Sequence, residues 1–330
     1  MFATASPAAA APPVQAAAET GSPSTICQVT DARLPELSGL VVGPDGTMVA
    51  INDGGDQLTV YVLDTSCAVV DVRTAGVDPY DPEDLAVGPD GTVWLADIGD
   101  NRTDRPTVAL LALHPDGSTA VYRMSYPDGP HDAESVLLAP DGTVYFVTKE
   151  ILGASGVYRP SAPLTEDVVT PLERAATVNF TLTGTEGGPV GRAGQLMATG
   201  GAVSRDGTMI ALRTYTDADG WPLANSDVPT ALAGTPVRIA LPPAPQGEAI
   251  SFSADDRQLV VAGEGLPGDV TLVPATAALA PVAAAASAAS AAATAEDSGP
   301  PAFTAGLIAA AVATAVVWIG GLLIRRRNGA

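Results

Sequence analysis

The sequence predicts an all-β fold, a β-propeller of five blades with six as the alternative count, followed by one C-terminal transmembrane helix. Three observations point there. A hairpin pattern returns five times, both ends have the composition of tails, and one uncharged run near the C-terminus is long enough to cross a bilayer.

The hairpin is an apolar segment, a tight turn and a second segment rich in β-branched or aromatic residues. It reads LSGLVVGPDGTMVAIND, EDLAVGPDGTVWLADIGD, ESVLLAPDGTVYFVTKE, GGAVSRDGTMIALRTYTD and EAISFSADDRQLVVAGEG. Gly46, Gly91, Gly142 and Gly207, with Asp256 in the fifth copy, are 45, 51, 65 and 49 residues apart, a period that belongs to propeller blades. Pro-Asp-Gly suits such a turn because proline presets φ, aspartate caps its own backbone and glycine supplies the positive φ that closes the hairpin. Further strand-like stretches follow each copy, for instance LTVYVLD and CAVVDV after the first, so a blade of four antiparallel strands is expected. The longest interval exceeds one blade by about 20 residues, less than a further blade of about 40 to 45, and reads as an insertion. Thr25 to Thr30 is placed to supply the outer strand of the last blade and so close the ring. A two-sheet sandwich, the other fold considered, does not require the same hairpin five times.

The ends set the expected location. Residues 303–324 form an uncharged run of 22, the length of a membrane-spanning helix. Arg325, Arg326 and Arg327 follow it and Glu296 and Asp297 precede it, so the positive-inside rule puts residues 325–330 in the cytoplasm as a basic tail. The body, residues 25–275, is then an extracellular domain on the cell membrane, and the Ala/Pro/Ser/Thr-rich residues 276–302 are a stalk. Residues 1–24 have neither a basic start nor an apolar core of the usual length, and read as a disordered segment, the remnant of a signal peptide that begins upstream. A tail anchor with a cytoplasmic body would put the three arginines on the wrong side.

Composition narrows the partners. There are 37 acidic against 16 basic residues, a net charge of −21, which argues against nucleic acid and favours cations. An extracellular ligand or protein remains the expected partner, beside the membrane itself. Cys27 and Cys67 are too few for a thiolate zinc site, and form either one disulfide or two separate buried thiols. With only His114 and His131, multi-histidine metal sites are excluded by counting.

In a blade the start of strand one and the end of strand two share a mouth of the channel. Alignment on the turns puts Ser38, Glu83, Glu134, Thr199 and Glu248 at the strand-one starts. It puts Asn52 and Asp53, Asp97, Thr148 with Lys149 and Glu150, Arg213, and Ala262 just before Glu264 at the strand-two ends. The second copy adds Asp81, Asp84, Asp100, Asn101 and Arg102, and Asp132 precedes Glu134 in the third. Converging carboxylates are what Ca²⁺ requires; the plainer reading is that they cap strand amides and pair with Arg213 or Lys149. Lys149, the sole lysine, is either a substrate contact or an ion-pair partner, and His131 either a base beside a metal or a solvated loop residue. Trp94 and Trp221 are expected to pack between blades.

The motifs Asp81-Pro-Glu-Asp-Leu-Ala, Asp97-Ile-Gly-Asp-Asn-Arg, Asp132-Ala-Glu-Ser, Ala211-Leu-Arg-Thr-Tyr-Thr-Asp and Gln246-Gly-Glu-Ala resemble secreted bacterial WD40-like propellers related to the esterase-like activity of phytase family. The likeness spans about residues 25–275. It implies a Ca²⁺ held over the channel, by position on Glu83, Asp97, Glu134 and Glu248. The chain departs from such enzymes in lacking clustered basic residues for phosphate, and Ser38 and Thr199 interrupt the ring of glutamates.

Two functions follow as expectations. One is a membrane-anchored binding or interaction module with an acidic, Ca²⁺-holding mouth. The other is a Ca²⁺-dependent hydrolase of esters, lactones or phosphoesters, with His131, Lys149 and Arg213 as candidate catalytic groups.

Overall fold

Runs of apolar and β-branched residues, cut repeatedly by Asp-Gly turns, favour short strands over helices. The computed structural model describes residues 21–275, which form twenty strands, one 3₁₀ turn and one short helix. The stalk, the spanning run and most of the N-terminal segment expected above lie outside the described residues. Among the described residues no helix is long and apolar enough to cross a membrane.

Strand β1 (Ser24–Val29) comes first. Strands β2 (Leu37–Val42), β3 (Met48–Asn52), β4 (Leu58–Leu63) and β5 (Val69–Ala75) then pair antiparallel in chain order. The same arrangement recurs in β6 (Pro82–Val87), β7 (Val93–Asp97), β8 (Val108–Leu113) and β9 (Thr119–Ser125), and in β10 (Ala133–Leu138), β11 (Val144–Thr148), β12 (Ala154–Pro160) and β13 (Thr170–Asn179). These two sets merge into one eight-stranded sheet because their outer strands touch in parallel, Thr170 opposite Met124 and Pro171 opposite Ser125. Next come β14 (Ala198–Val203), β15 (Met209–Thr214), β16 (Asp217–Pro222) and β17 (Val237–Ala240), with α1 (Val228–Leu232) before β17. Finally β18 (Gln246–Phe252), β19 (Gln258–Glu264) and β20 (Gly268–Pro274) are completed by β1, Ser24 facing Leu272 and Val29 facing Gly268. The outer strand expected at Thr25 to Thr30 is therefore present.

The first strands of the sets pack side by side around an axis: β2 on β6, β6 on β10, β10 on β14, β14 on β18, and β18 back on β2. The apolar core follows the same cycle. Leu58 and Val60 pack with Leu95 and Leu111; Leu110 and Met124 with Phe146 and Tyr158; Val147 and Val157 with Leu212 and Trp221; Met209 and Leu241 with Ile250 and Phe252. A fifth cluster joins Val260 and Val270 to Leu40 and Tyr61, last to first. Trp221 is wholly buried in one of these layers and its Nε1 donates to the Gly234 carbonyl, as expected for a packing tryptophan.

A disulfide between Cys27 on β1 and Cys67 in the turn between β4 and β5 ties the closing strand to the first sheet, with Cα atoms 5.7 Å apart. The turns behave as the motif requires: Gly46, Gly91, Gly142 and Gly207 have φ of 72° to 85°, and Asp256 takes φ 58° in the fifth. The long third interval is taken up by the ten-residue β13 and by a loop carrying the 3₁₀ turn Gly191–Gln195, an insertion as predicted.

Candidate metal centre

Each inner strand carries a bulge at the same place. Pairing jumps from Leu37 to Gly39, Pro82 to Asp84, Ala133 to Ser135 and Ala198 to Gly200, and in the last pair from Gly247 to Ile250. The residues left out of register are Ser38, Glu83, Glu134 and Thr199, with Glu248 and Ala249 in the fifth. A bulge re-aims the side chain of its extra residue, so the five aligned positions turn together at one end of the channel. The two hydroxyls stitch neighbouring strands: Ser38 Oγ donates to the Glu83 carbonyl, and Thr199 Oγ1 to the Gly247 carbonyl at 2.9 Å. The other three positions hold the glutamates Glu83, Glu134 and Glu248, all buried.

A ring of inner strands, antiparallel sheets radiating from it, and an N-terminal strand closing the last sheet settle the architecture. The chain is a β-propeller. No family model and no curated protein matches it. Among solved structures it is similar to a gluconolactonase from Xanthomonas campestris, at 17% identity over 72% of this chain and 71% of that one, with a TM-score of 0.42. It is also similar to a luciferin-regenerating enzyme at 14% identity over 72% and 78%, TM-score 0.43. A third likeness is to an aldose sugar dehydrogenase from Streptomyces coelicolor at 11% identity over 78% and 99%, TM-score 0.41.

At the propeller's acidic mouth two groups of carboxylates share one member. Asp53, Asp81 and Glu83 form one, and Glu83, Asp132 and Glu134 the other; within each, the potential ligand oxygens lie within 4.8 Å of one another. Glu83 and Glu134 are buried, and Asp53, Asp81 and Asp132 are partly exposed. Glu134 Oε2 and Glu248 Oε2 are buried with no hydrogen-bond partner. Gly99 makes room for this crowding, since its missing side chain would point at the Asp81 and Glu83 carboxylates.

The electrostatics follow from that crowding. Burial, with Glu134, Asp53, Asp81 and Glu248 around it, holds Glu83 well above the usual carboxylate range. Burial and the neighbouring Asp53 push Asp81 up to about 7. Burial, Glu134 and Glu264 push Glu248 up to about 9, and burial raises Asp53 and Asp132. Burial by itself would pull the Lys149 ammonium down, but Glu134 and Tyr215 outweigh it and hold it above its ordinary value.

The remaining sequence candidates have specific places. Glu83 and Glu134 enter the carboxylate groups; Glu248 lies beside them, in neither. Asp97 is also in neither: its Oδ1 accepts from the Asp81 amide at 2.8 Å and from Arg105 Nη2 at 2.9 Å. Lys149 pairs with Glu134, both side chains buried. Arg213 is buried and spans the fifth bulge, its Nη1 donating to the carbonyls of Ala249 at 2.8 Å and Ala262 at 3.0 Å. Burial lowers it to about 10. His131 lies against Asp128 and Tyr158, its Nε2 3.1 Å from each, and stacks edge-on against Tyr126.

One residue, Arg105, had no sequence signal. Arg105 orders the loop after β7, donating to the Gly99 carbonyl at 2.6 Å and lying 4.5 Å from the Tyr80 ring centroid. Asp84, deeper in the channel, accepts from the amides of Leu85, Val136 and Gly201 at 2.9, 2.9 and 3.1 Å, joining three inner strands. Burial pushes it up to about 8 against the pull of those amides. Beyond it the channel widens to an apolar funnel of about 890 Å³ at the hairpin-turn end, lined by Pro89, Trp94, Leu138, Pro140 and Phe252.

Proposed function

We propose that the chain is a five-bladed propeller that holds a hard divalent cation, calcium by preference, at its acidic mouth and hydrolyses an ester or lactone there. One observation carries the reading: two carboxylate groups meet on Glu83 in a buried mouth where Glu134 Oε2 and Glu248 Oε2 have no protein partner. Carboxylates buried together need either a compensating charge or bound protons, and a cation would take the place of the protons. The donors fit the ion, being all oxygen and set on several separate strands and loops, with no imidazole or thiolate among them.

A bound cation would supply polarisation of a carbonyl oxygen. The protein's own part is to hold and hand over protons. Glu248, outside both groups and held up to about 9, is placed to give or take a proton beside the reacting carbonyl. Arg213 fixes the bulge that carries it, acting as a positioning residue. Phosphoesters are disfavoured because Lys149, Arg105 and Arg213 are already committed to Glu134, Asp97 and backbone carbonyls. The chain leaves β20 at the hairpin-turn end, since Pro274 faces Gln258; for the residues that follow, the proposal is a stalk and a membrane-spanning helix with the propeller outside the cell.

A second reading, a cation-dependent binding module, is favoured by the mouth's lack of a serine or cysteine paired with histidine among the described residues. Two measurements separate these. Saturating calcium should raise the melting temperature by roughly 5 to 10 °C at a hundredfold excess over Kd, and Glu83→Gln with Glu134→Gln should abolish the rise. On ester and lactone panels, Glu248→Gln should keep the calcium shift and lose about 10²- to 10⁴-fold in turnover. No calcium shift in the unaltered protein removes the cation; a shift without turnover leaves the binding module.

A further inference from the structure

The two carboxylate groups at the mouth are not equivalent. In the one formed by Glu83, Asp132 and Glu134, a cation is already present: the Lys149 ammonium sits on Glu134 Oε1, with both side chains buried. The lysine is held in place twice more. Its backbone amide donates to the Asp132 carbonyl at 2.9 Å, and its ammonium lies 5.5 Å from the centroid of the Tyr215 ring. In the group formed by Asp53, Asp81 and Glu83, no side chain forms an ion pair among the described residues, and the one nearby guanidinium, Arg105, is spent on Asp97. Glu134 keeps one oxygen without a partner although it is only 2% exposed.

We propose that the mouth is built for two cations, one of which is covalently attached: Lys149 stands in for an ion in the Glu83–Asp132–Glu134 group, so the propeller takes up a single divalent ion, in the Asp53–Asp81–Glu83 group. The proposal rests on the cation reading above and adds stoichiometry and position to it. The physical reason is charge density. Two dications bridged by Glu83 would repel across a few ångströms, whereas a tethered monovalent ammonium neutralises part of the second group and brings no ion from solution. Its sequence corollary is already visible, for the chain's sole lysine occupies this position.

The test is calorimetric titration of the full-length protein with CaCl₂, comparing the unaltered chain with Lys149→Met and Lys149→Arg. The expected result is one ion for the unaltered protein, two for Lys149→Met and one for Lys149→Arg. One ion in both the unaltered protein and Lys149→Met, or two in the unaltered protein, overturns the stand-in role while leaving a cation-holding mouth intact. No ion in any variant overturns the cation reading itself. Should Lys149→Met fail to fold, Glu134→Gln and Asp81→Asn decide position: Glu134→Gln must keep the ion and Asp81→Asn must lose it. The reverse pattern would place the ion in the lysine's own group and overturn the proposal.

Discussion

At Gly99 a single methyl group separates a working mouth from a blocked one. An added Cβ would lie 2.6 Å from the Asp81 carboxyl carbon and closer still to Glu83, well inside van der Waals contact, so both carboxylates must move. Gly99→Ala is expected to fold and to bind calcium about 10- to 100-fold more weakly, the usual cost of disturbing the groups that orient metal ligands; the calcium-induced melting shift measures it. Residue-scale detail was the least legible in advance. The aligned repeats put Glu83 and Asp97 at the same expected mouth, one at a strand-one start and one at a strand-two end, yet Asp97 turns to Arg105, eight residues on in a loop, and to the Asp81 amide. Nothing in the spacing of Arg105 announces that partnership, since it arises from how the loop folds back over β7. Lys149 stands out in the sequence because it is unique, and the fold pairs it with Glu134.

At the scale of elements, two devices do most of the positioning. The bulges fall at equivalent places in the inner strands, at Ser38, Glu83, Glu134, Thr199 and Glu248. Alignment on the Asp-Gly turns found these five positions, because each turn sits a constant distance from the strand start. It could not show that they are bulged, which is a matter of pairing between strands. The second device is the closing strand. β1 is held to β20 by ladder hydrogen bonds and to the first sheet by the Cys27–Cys67 bridge, across 40 residues of sequence. Closing a loop of that length is worth about 4 kcal/mol in the chain-entropy model. Replacing both cysteines by serine should therefore lower the melting temperature by about 10 °C, with loss of hydrogen-exchange protection first in β1 and β20.

For the molecule as a whole, stability should depend on pH in a direction set by the channel. Asp81, Asp84 and Glu248 have folded-state values pushed up to about 7, 8 and 9, and Glu83 is raised with them. In each case the folded protein holds its proton to higher pH than the unfolded chain does. The stability these groups contribute is full below the ordinary carboxylate range, about 4, and is lost as pH rises through 7 to 9. The melting temperature of chelator-treated protein should fall steadily from pH 5 to pH 9, and calcium should flatten that slope by compensating the mouth carboxylates. A melting temperature that rises over this range would mean that the mouth is open to water and its acids are ordinary.

The sequence by itself determined the repeating hairpin, the turn residues, the closing strand and which positions are equivalent from one inner strand to the next, because periodicity and turn chemistry are local and are written in adjacent residues. Only the tertiary structure decided which acids meet and which are diverted, that Lys149 serves Glu134, that Arg213 clamps carbonyls, and that Asp84 joins three inner strands. These are contacts between sheets distant along the chain, and their partners are chosen by strand register and loop path, which no stretch of sequence encodes alone.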